Sequence, residues 1–321
     1  MTQEGNGGIL GVGLIDDQLR IVEGQKKSDE FHILQLAQGR VRQPFDFSVF
    51  ADSNIARRFG EDISRLVETR EFQVKEVAFS LDSSMVLIKK IPVDATLDRK
   101  ELEDHIFWEV RQFSISPLKE YIVDFENLSI GGTEHKLGFM LVVVVRKKII
   151  EFLKQIFKHT NLSLKVIDVD IFSAQRALHL NYDYNQSKKI GLINLEEKKI
   201  NFCIMEGRNY YLSQEVPFPD ANDRRENWDE SATRLISKEL RRIILDNQLG
   251  KGVEDLKEIF LYGEAVEDKV LEGLQNSYDV RIDRANPFKK VKLMASAKEE
   301  LNQERAERFM ISVGAALRGI Q

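Results

Sequence analysis

Residues 9–22, Ile-Leu-Gly-Val-Gly-Leu-Ile-Asp-Asp-Gln-Leu-Arg-Ile-Val, join an apolar run to a second, alternating run through a short acidic turn. Residues 190–205, Ile-Gly-Leu-Ile-Asn-Leu-Glu-Glu-Lys-Lys-Ile-Asn-Phe-Cys-Ile-Met, repeat the pattern about 180 residues later. In the second runs, Leu19 and Ile21, then Ile200, Phe202 and Ile204, recur at every other position. A period of two is the signature of a half-buried strand, and polar punctuation between two such runs marks a hairpin. Two copies this far apart read as the openings of two related halves. Their turns, Asp16-Asp17 and Glu196-Glu197, are acidic.

Composition narrows what such a chain can be. A length of 321 residues is enough for two domains with full cores. Apolar content of 42% with 31% charged residues is that of an ordinary globular protein. No apolar run approaches the ~20 residues of a membrane span. The longest, Leu137–Val145, runs into Arg146-Lys147-Lys148 and reads as a central strand. The N-terminus lacks a basic segment followed by an apolar one, which argues against a signal peptide. The single cysteine, Cys203, sits in a strand pattern and reads as a buried structural thiol. A net charge of −5 argues against nucleic acid or anionic lipid as the main partner. The five histidines show no metal-ligand spacing, and no Ser/His/Asp or Cys/His set suggests a nucleophile. The expectation is a cytoplasmic α/β protein.

Between the hairpins, Phe31–Leu36 supplies a third strand, and a helix at 53–69 carries Ile55, Phe59, Ile63 and Leu66 at helical spacing behind an Asp52 or Ser53 cap. Val74–Leu81 and Met85–Ile91 read as a strand pair around Asp82-Ser83-Ser84. A helix at 98–113 opens with the capping-box pattern Asp98…Glu101 and buries Leu102, Ile106, Val110 and Phe113. Phe107 and Trp108 lie partly off that stripe, either covering a neighbouring element or forming a partner-binding aromatic pair. Strands at 121–129 and 136–145 flank Gly131-Gly132; a helix at 147–159, a strand at 163–168 and a helix at 171–180 close the first half.

After the second hairpin come a strand at 210–216, a polar loop at 220–227 and a helix at 228–247. The apolar face of that helix is Ala232, Leu235, Ile236, Leu240, Ile243 and Ile244; Arg234, Lys238, Arg241 and Arg242 read as its solvated face. A strand at 258–262, a helix at 266–277, a strand at 279–282 and one last helix at 298–318 complete the chain. The order β-β-β-α-β…α, given twice with a β/α insertion in the first half, is the duplicated layout of the actin/Hsp70/hexokinase-like fold: α/β, with mixed sheets flanked by helices.

The chain resembles the PilM family, actin-like cytoplasmic components of type IV pilus assembly. The most specific part runs through Lys100-Glu101-Leu102-Glu103, Trp108-Glu109-Val110-Arg111-Gln112-Phe113, Pro117-Leu118-Lys119-Glu120 and Val123-Asp124-Phe125, similar to that family's helix-then-strand segment. Val142–Arg146, Val166-Ile167-Asp168-Val169-Asp170, Glu239-Leu240-Arg241-Arg242, Ala285-Asn286-Pro287-Phe288 and Ser312–Leu317 follow in the same order. The resemblance implies a first half of 1–73 plus 160–185 and an inserted subdomain at 74–159 of the kind shared with the cell-division actin homologue FtsA. It further implies a second half at 186–300 and a C-terminal helix at 301–321 returning to the first half. It also implies binding of the cytoplasmic tail of an inner-membrane partner (PilN) at the inserted subdomain. Other pilus assembly proteins are implied partners too, and a homo-oligomer is a further possibility to test. The membrane would be reached only through a partner.

An actin-like ATPase needs two phosphate loops and an adenosine loop. The first loop of such proteins reads like D-x-G-[ST], its Asp serving the metal shell and its Gly letting backbone N–H groups approach phosphate. Aligned on Gly11-Val12-Gly13-Leu14-Ile15-Asp16, this chain has Gly13 for the Asp and Ile15 for the Gly. In the second loop Asn194 stands for the Asp and Glu196 for the Gly; in the third, S-G-G-G becomes Tyr262-Gly263-Glu264-Ala265. A carboxylate about 4 Å from a phosphate charge costs about 4 kcal/mol at an effective dielectric near 20, nearly a thousandfold in affinity. The acids could instead gather a divalent cation, or be solvated turn residues.

The expectation is a pseudo-ATPase with no catalytic residue and no cofactor: a scaffold whose partner-binding candidates are Phe107, Trp108, Phe113 and the edges of the inserted strands, where a peptide could add as a strand. The alternative is an active ATPase, using ATP and Mg2+, or a sugar/acid kinase with Asp168 or Asp170 as its carboxylate. An FtsA-like tether should end in a basic amphipathic helix, and a type II secretion relative should continue into a membrane span. This sequence stops at Leu317-Arg318-Gly319-Ile320-Gln321.

Overall fold

The computed structural model describes residues 7–128, 137–184, 188–218 and 228–320. The Gly131-Gly132 turn and the polar loop at 220–227 lie outside the described residues. The first hairpin is β1 (Gly8–Ile15) and β2 (Gln18–Lys27), followed by β3 (Glu30–Arg40), α1 (Ser53–Thr69) and β4 (Glu76–Leu81). The insertion holds β5 (Val86–Asp94), α2 (Arg99–Phe113), β6 (Tyr121–Leu128) and β7 (Leu137–Arg146). Next come α3 (Lys147–Lys158), β8 (Ser163–Val169) and α4 (Asp170–Asn181). The second hairpin, β9 (Lys189–Leu195) and β10 (Lys199–Glu206), leads to β11 (Asn209–Pro217), α5 (Trp228–Asp246), β12 (Glu258–Tyr262), α6 (Asp268–Ser277) and β13 (Arg281–Arg284). The chain closes with β14 (Lys292–Leu293), α7 (Ala295–Leu301) and α8 (Met310–Ile320).

Two compact units result, one of residues 1–177, 291–304 and 311–321, the other of 178–290 and 305–310. Residues 178–184, expected to belong to the first half, thus fall in the second unit. The first unit has a six-stranded sheet ordered β14-β3-β2-β1-β4-β8, the second a five-stranded sheet ordered β11-β10-β9-β12-β13. In each, the hairpin strands pair antiparallel and the first hairpin strand then pairs parallel with the next strand outward. The five strands β3-β2-β1-β4-β8 and β11-β10-β9-β12-β13 share one pairing scheme, which is the duplication the hairpins announced.

Strand β1 is buried at every position. Leu10, Val12 and Leu14 join a core with Phe59, Ile63, Ile149, Phe152 and Ile156 from α1 and α3. The opposite face of β1 meets α8, whose Ser312 and Ala316 lie against Gly11. A strand covered on both faces has no polar side to alternate with. In the second unit, α5 and α6 bury Ile236, Leu240, Ile243, Val270 and Leu274 against Ile193, Leu195, Phe202 and Ile259.

Two expectations are corrected. β4 and β5 are not a pair: β4 lies in the six-stranded sheet, while β5 enters a separate three-stranded sheet ordered β5-β7-β6. Asp82 accepts from the Ser84 N–H and Asp170 from the Ser83 N–H, so this turn is where the chain leaves one sheet for another. The last helix is also broken. After α7 the chain turns, and Ala306–Phe309 form a short 3₁₀ segment before α8. Phe309 is fully buried with its ring 6.0 Å from Phe288, and side-chain anchoring of this kind overrides helical propensity.

Candidate functional site

The first hairpin turn is bound to protein. Asp16 is left-handed at φ 53, a conformation that Asp tolerates better than most residues. Its carbonyl accepts from the Phe45 N–H at 2.8 Å, and the Asp17 carbonyl accepts from the Val41 N–H at 2.9 Å. The Asp17 carboxylate meets Arg40 at 3.3 Å and Gln18 at 3.0 Å. Ile15 is buried. Gly11 serves close packing: a Cβ there would overlap the Ser312 carbonyl oxygen and lie 2.5 Å from the Ala316 nitrogen. At Gly13 a Cβ would sit 3.1 Å from the Ile311 side chain.

The second hairpin lies against the 262–265 loop of its own unit. Asn194 and Glu196 are both buried. Gly263, at φ 111, is held in a conformation that side chains rarely adopt. A Cβ on it would overlap Asn194 Oδ1 and approach the Leu195 carbonyl oxygen to 2.6 Å and Glu196 Oε1 to 2.9 Å. Tyr262, the first residue of that loop, is fully buried. Glu264 faces Arg308 at 3.3 Å.

Around Gly263 stands a network that periodicity did not reveal. Arg284 meets buried Glu307 at 3.3 Å and hydrogen-bonds Asp268 at 2.5 Å. Arg305 meets Glu267 at 3.0 Å. Arg284 and Arg305 both donate to the Val266 carbonyl, which explains why α6 starts two residues later than its apolar pattern predicts. The Arg284 guanidinium, hydrogen-bonded to Asp268, holds that carboxyl below its usual range. In sequence, Glu304-Arg305-Ala306-Glu307-Arg308 reads only as an alternating charged run of the kind that solvates a helix.

The alternative catalytic carboxylates are occupied. Asp168 accepts from Arg176 at 2.6 Å and from the Ser173 hydroxyl at 2.7 Å. Asp170 accepts from the Ser83 and Ile171 N–H groups. Among the described residues, no group of three or more His, Cys, Asp and Glu side chains could hold a metal ion.

The inserted subdomain is built differently. Asp98 and Glu101 close a reciprocal capping box on α2. Ile106 and Val110 of α2 cover Met140, Val142 and Val144 of β7. Phe113 packs against this core, with Lys89 Nζ 5.6 Å from its ring centroid, so it belongs with the packing residues rather than the surface. Phe107 and Trp108 remain 38% and 55% exposed, and His105 stacks on Trp108. The other sheet face carries Ile88 opposite Val143 and Ile122 opposite Val145, all exposed or half-buried. At its inner end Val86 and Val145 pack against the main core of the first unit.

A family model for the type IV pilus assembly protein PilM matches residues 11–219. Among solved structures, the chain is similar to a PilM-PilN type IV pilus biogenesis complex. Identity is 17%, covering 98% of this chain and 99% of that one, with a TM-score of 0.79. It is also similar to a Bacteroides thetaiotaomicron protein with an actin-like ATPase fold and unknown function (10% identity, 95% and 100% covered, TM-score 0.49). A further match is the cytoplasmic domain of EpsL, an inner-membrane component of the type II secretion system of Vibrio cholerae (11% identity, 94% and 98% covered, TM-score 0.48). The fold is actin-like, with mixed sheets flanked by helices. No described helix is long and apolar enough to cross a membrane.

Proposed function

Because the chain belongs to the PilM family of type IV pilus assembly proteins, we propose that it is a non-catalytic cytoplasmic scaffold of a type IV pilus or related secretion machine. In this reading the inserted subdomain binds the cytoplasmic N-terminal tail of a PilN-like inner-membrane protein, and that partner brings the scaffold to the membrane. The observation that carries the tail site is the three-stranded sheet. One face is closed by α2, while the other presents Ile88 and Ile122 on the two edge strands and Val143 on the strand between them. An extended peptide can add main-chain hydrogen bonds at such an edge and seat alternate side chains on the apolar face. The exposed Phe107 and Trp108 are the second candidate surface.

A degenerate nucleotide site fits the geometry of each half. Ile15 and Glu196 occupy positions where bare backbone would be needed, and Gly11 and Gly13 are spent on contact with α8. The Gly263 loop is crowded by Asn194 and Glu196. An active ATPase or kinase would need these turns free to hold phosphate, and Asp168 and Asp170 free for chemistry.

Calorimetric titration tests both parts. N-terminal peptides of membrane proteins encoded nearby are expected to bind, and Mg-ATP is not. Failure of every such peptide would return the chain to the kinase class. Mg-ATP binding that is lost on substituting Gly13 or Asn194 would overturn the pseudo-ATPase reading.

A further inference from the structure

The second unit carries a feature that neither tail binding nor the hairpins use. Helices α5 and α6 flank an open groove of about 1010 Å³. They approach closely at Gly273, where a Cβ would stand 3.0 Å from the Thr233 side chain. Arg234, Lys238 and Arg241 line the groove from one stripe of α5. Among the described residues, the Arg234 and Lys238 side chains make no hydrogen bond or ion pair, and Arg241 rests 5.6 Å over the Tyr278 ring. Lys269, by contrast, pairs with Asp229 at 3.8 Å. One turn beyond Arg241 on the same stripe stands Leu245, 57% exposed.

We propose that this groove docks an acidic segment of a protein partner, with carboxylates set against Arg234, Lys238 and Arg241 and an apolar side chain against Leu245. Three cations spread over two helical turns, about 10 Å, outspan a single phosphate but match carboxylates on successive turns of a peptide. Unpaired cations around a concave surface attract an acidic partner and speed its encounter. The exposed leucine marks a protein partner, since a polyanion offers nothing to bury against it. Glu230 and Glu272 also line the groove, so the partner's carboxylates are confined to the cations of the α5 stripe. The groove is lined by residues of the second unit alone, so this inference does not rest on tail binding.

The test is fluorescence anisotropy of the full chain with a labelled peptide rich in glutamate and carrying leucines at helical spacing. Saturable binding should weaken as salt rises. It should fall about tenfold or more in an R234E/K238E/R241E variant, and a few-fold in Leu245→Ser. Unchanged thermal melting of each variant shows that the fold persists. Absence of saturation, or equal binding by the triple variant, overturns the proposal. Capture of the wild type by phosphatidylglycerol vesicles without peptide binding also overturns it, in favour of a lipid surface.

Discussion

The two hairpins have the same topology and opposite packing problems. Gly11 of the first and Leu192 of the second occupy equivalent positions, yet one must be empty and the other full. At Gly11 the backbone of α8 lies where a side chain would go. At Leu192 a full side chain is wholly buried. The neighbouring position repeats the lesson: Gly13 lies against Ile311, while Asn194 is turned onto Gly263. Duplication therefore preserved the strands and not their surroundings. Each hairpin is packed by elements of its own unit, the 41–45 segment and α8 in one, the Gly263 loop in the other.

That contrast can be broken experimentally. The largest effect is expected at Gly11, where Gly11→Ala should destabilise by at least about 3 kcal/mol, because the obstacle is helix backbone and cannot rotate away. Leu192→Ala should cost a similar amount for the opposite reason, an unfilled cavity. Denaturant melts of the two variants would separate the mechanisms. A cavity-filling Leu192→Met should cost little, whereas Gly11→Ser should be as damaging as Gly11→Ala.

In the second unit, Gly263→Ala should cost about 2 kcal/mol from backbone strain and crowding. Arg284→Met should cost roughly 2 kcal/mol, since it removes the guanidinium that pairs with the buried Glu307 carboxylate. The double variant Arg284→Met, Glu307→Leu should recover most of that loss. Failure to recover would mean that the pair acts through the wider network.

Acid should reveal the same network through Asp268. Its carboxyl is lowered by the Arg284 hydrogen bond, so its contribution is present above the unfolded value of 3.8 and lost as pH falls through the lower folded value. Melting temperatures measured below pH 4 should fall less steeply for Asp268→Asn than for the wild type. An identical slope would remove Asp268 from the account. The smallest stability change, within about 0.5 kcal/mol, is expected for Trp108→Ala, whose ring is exposed. Its diagnostic value is in binding: unchanged tail-peptide affinity in Trp108→Ala together with loss in Ile122→Ser would assign the tail to the sheet face rather than to α2.

Local signals were enough to locate most elements. The apolar spacing of α1 and the Asp98–Glu101 box of α2 depend on neighbours within a few residues, and both helices form where those residues place them. Strands β9, β10 and β12 likewise follow their own side-chain patterns. The acids of both turns were legible because charge at a turn is written in the turn itself.

What the sequence determined by itself is the duplicated hairpin, and through it the actin-like class, because strand periodicity is a local property. Tertiary structure alone decided what the glycines are for, where β5 goes and why the last helix breaks. Gly11 reads equally well as a phosphate-loop glycine until α8 lies on it, and nothing near residue 11 encodes that helix. Arg305 and Glu307 read as solvated charges until Glu267 and Arg284, distant in sequence, hold them. Contacts between residues far apart in the chain leave no periodic trace, so only the folded chain could show what packs against each hairpin.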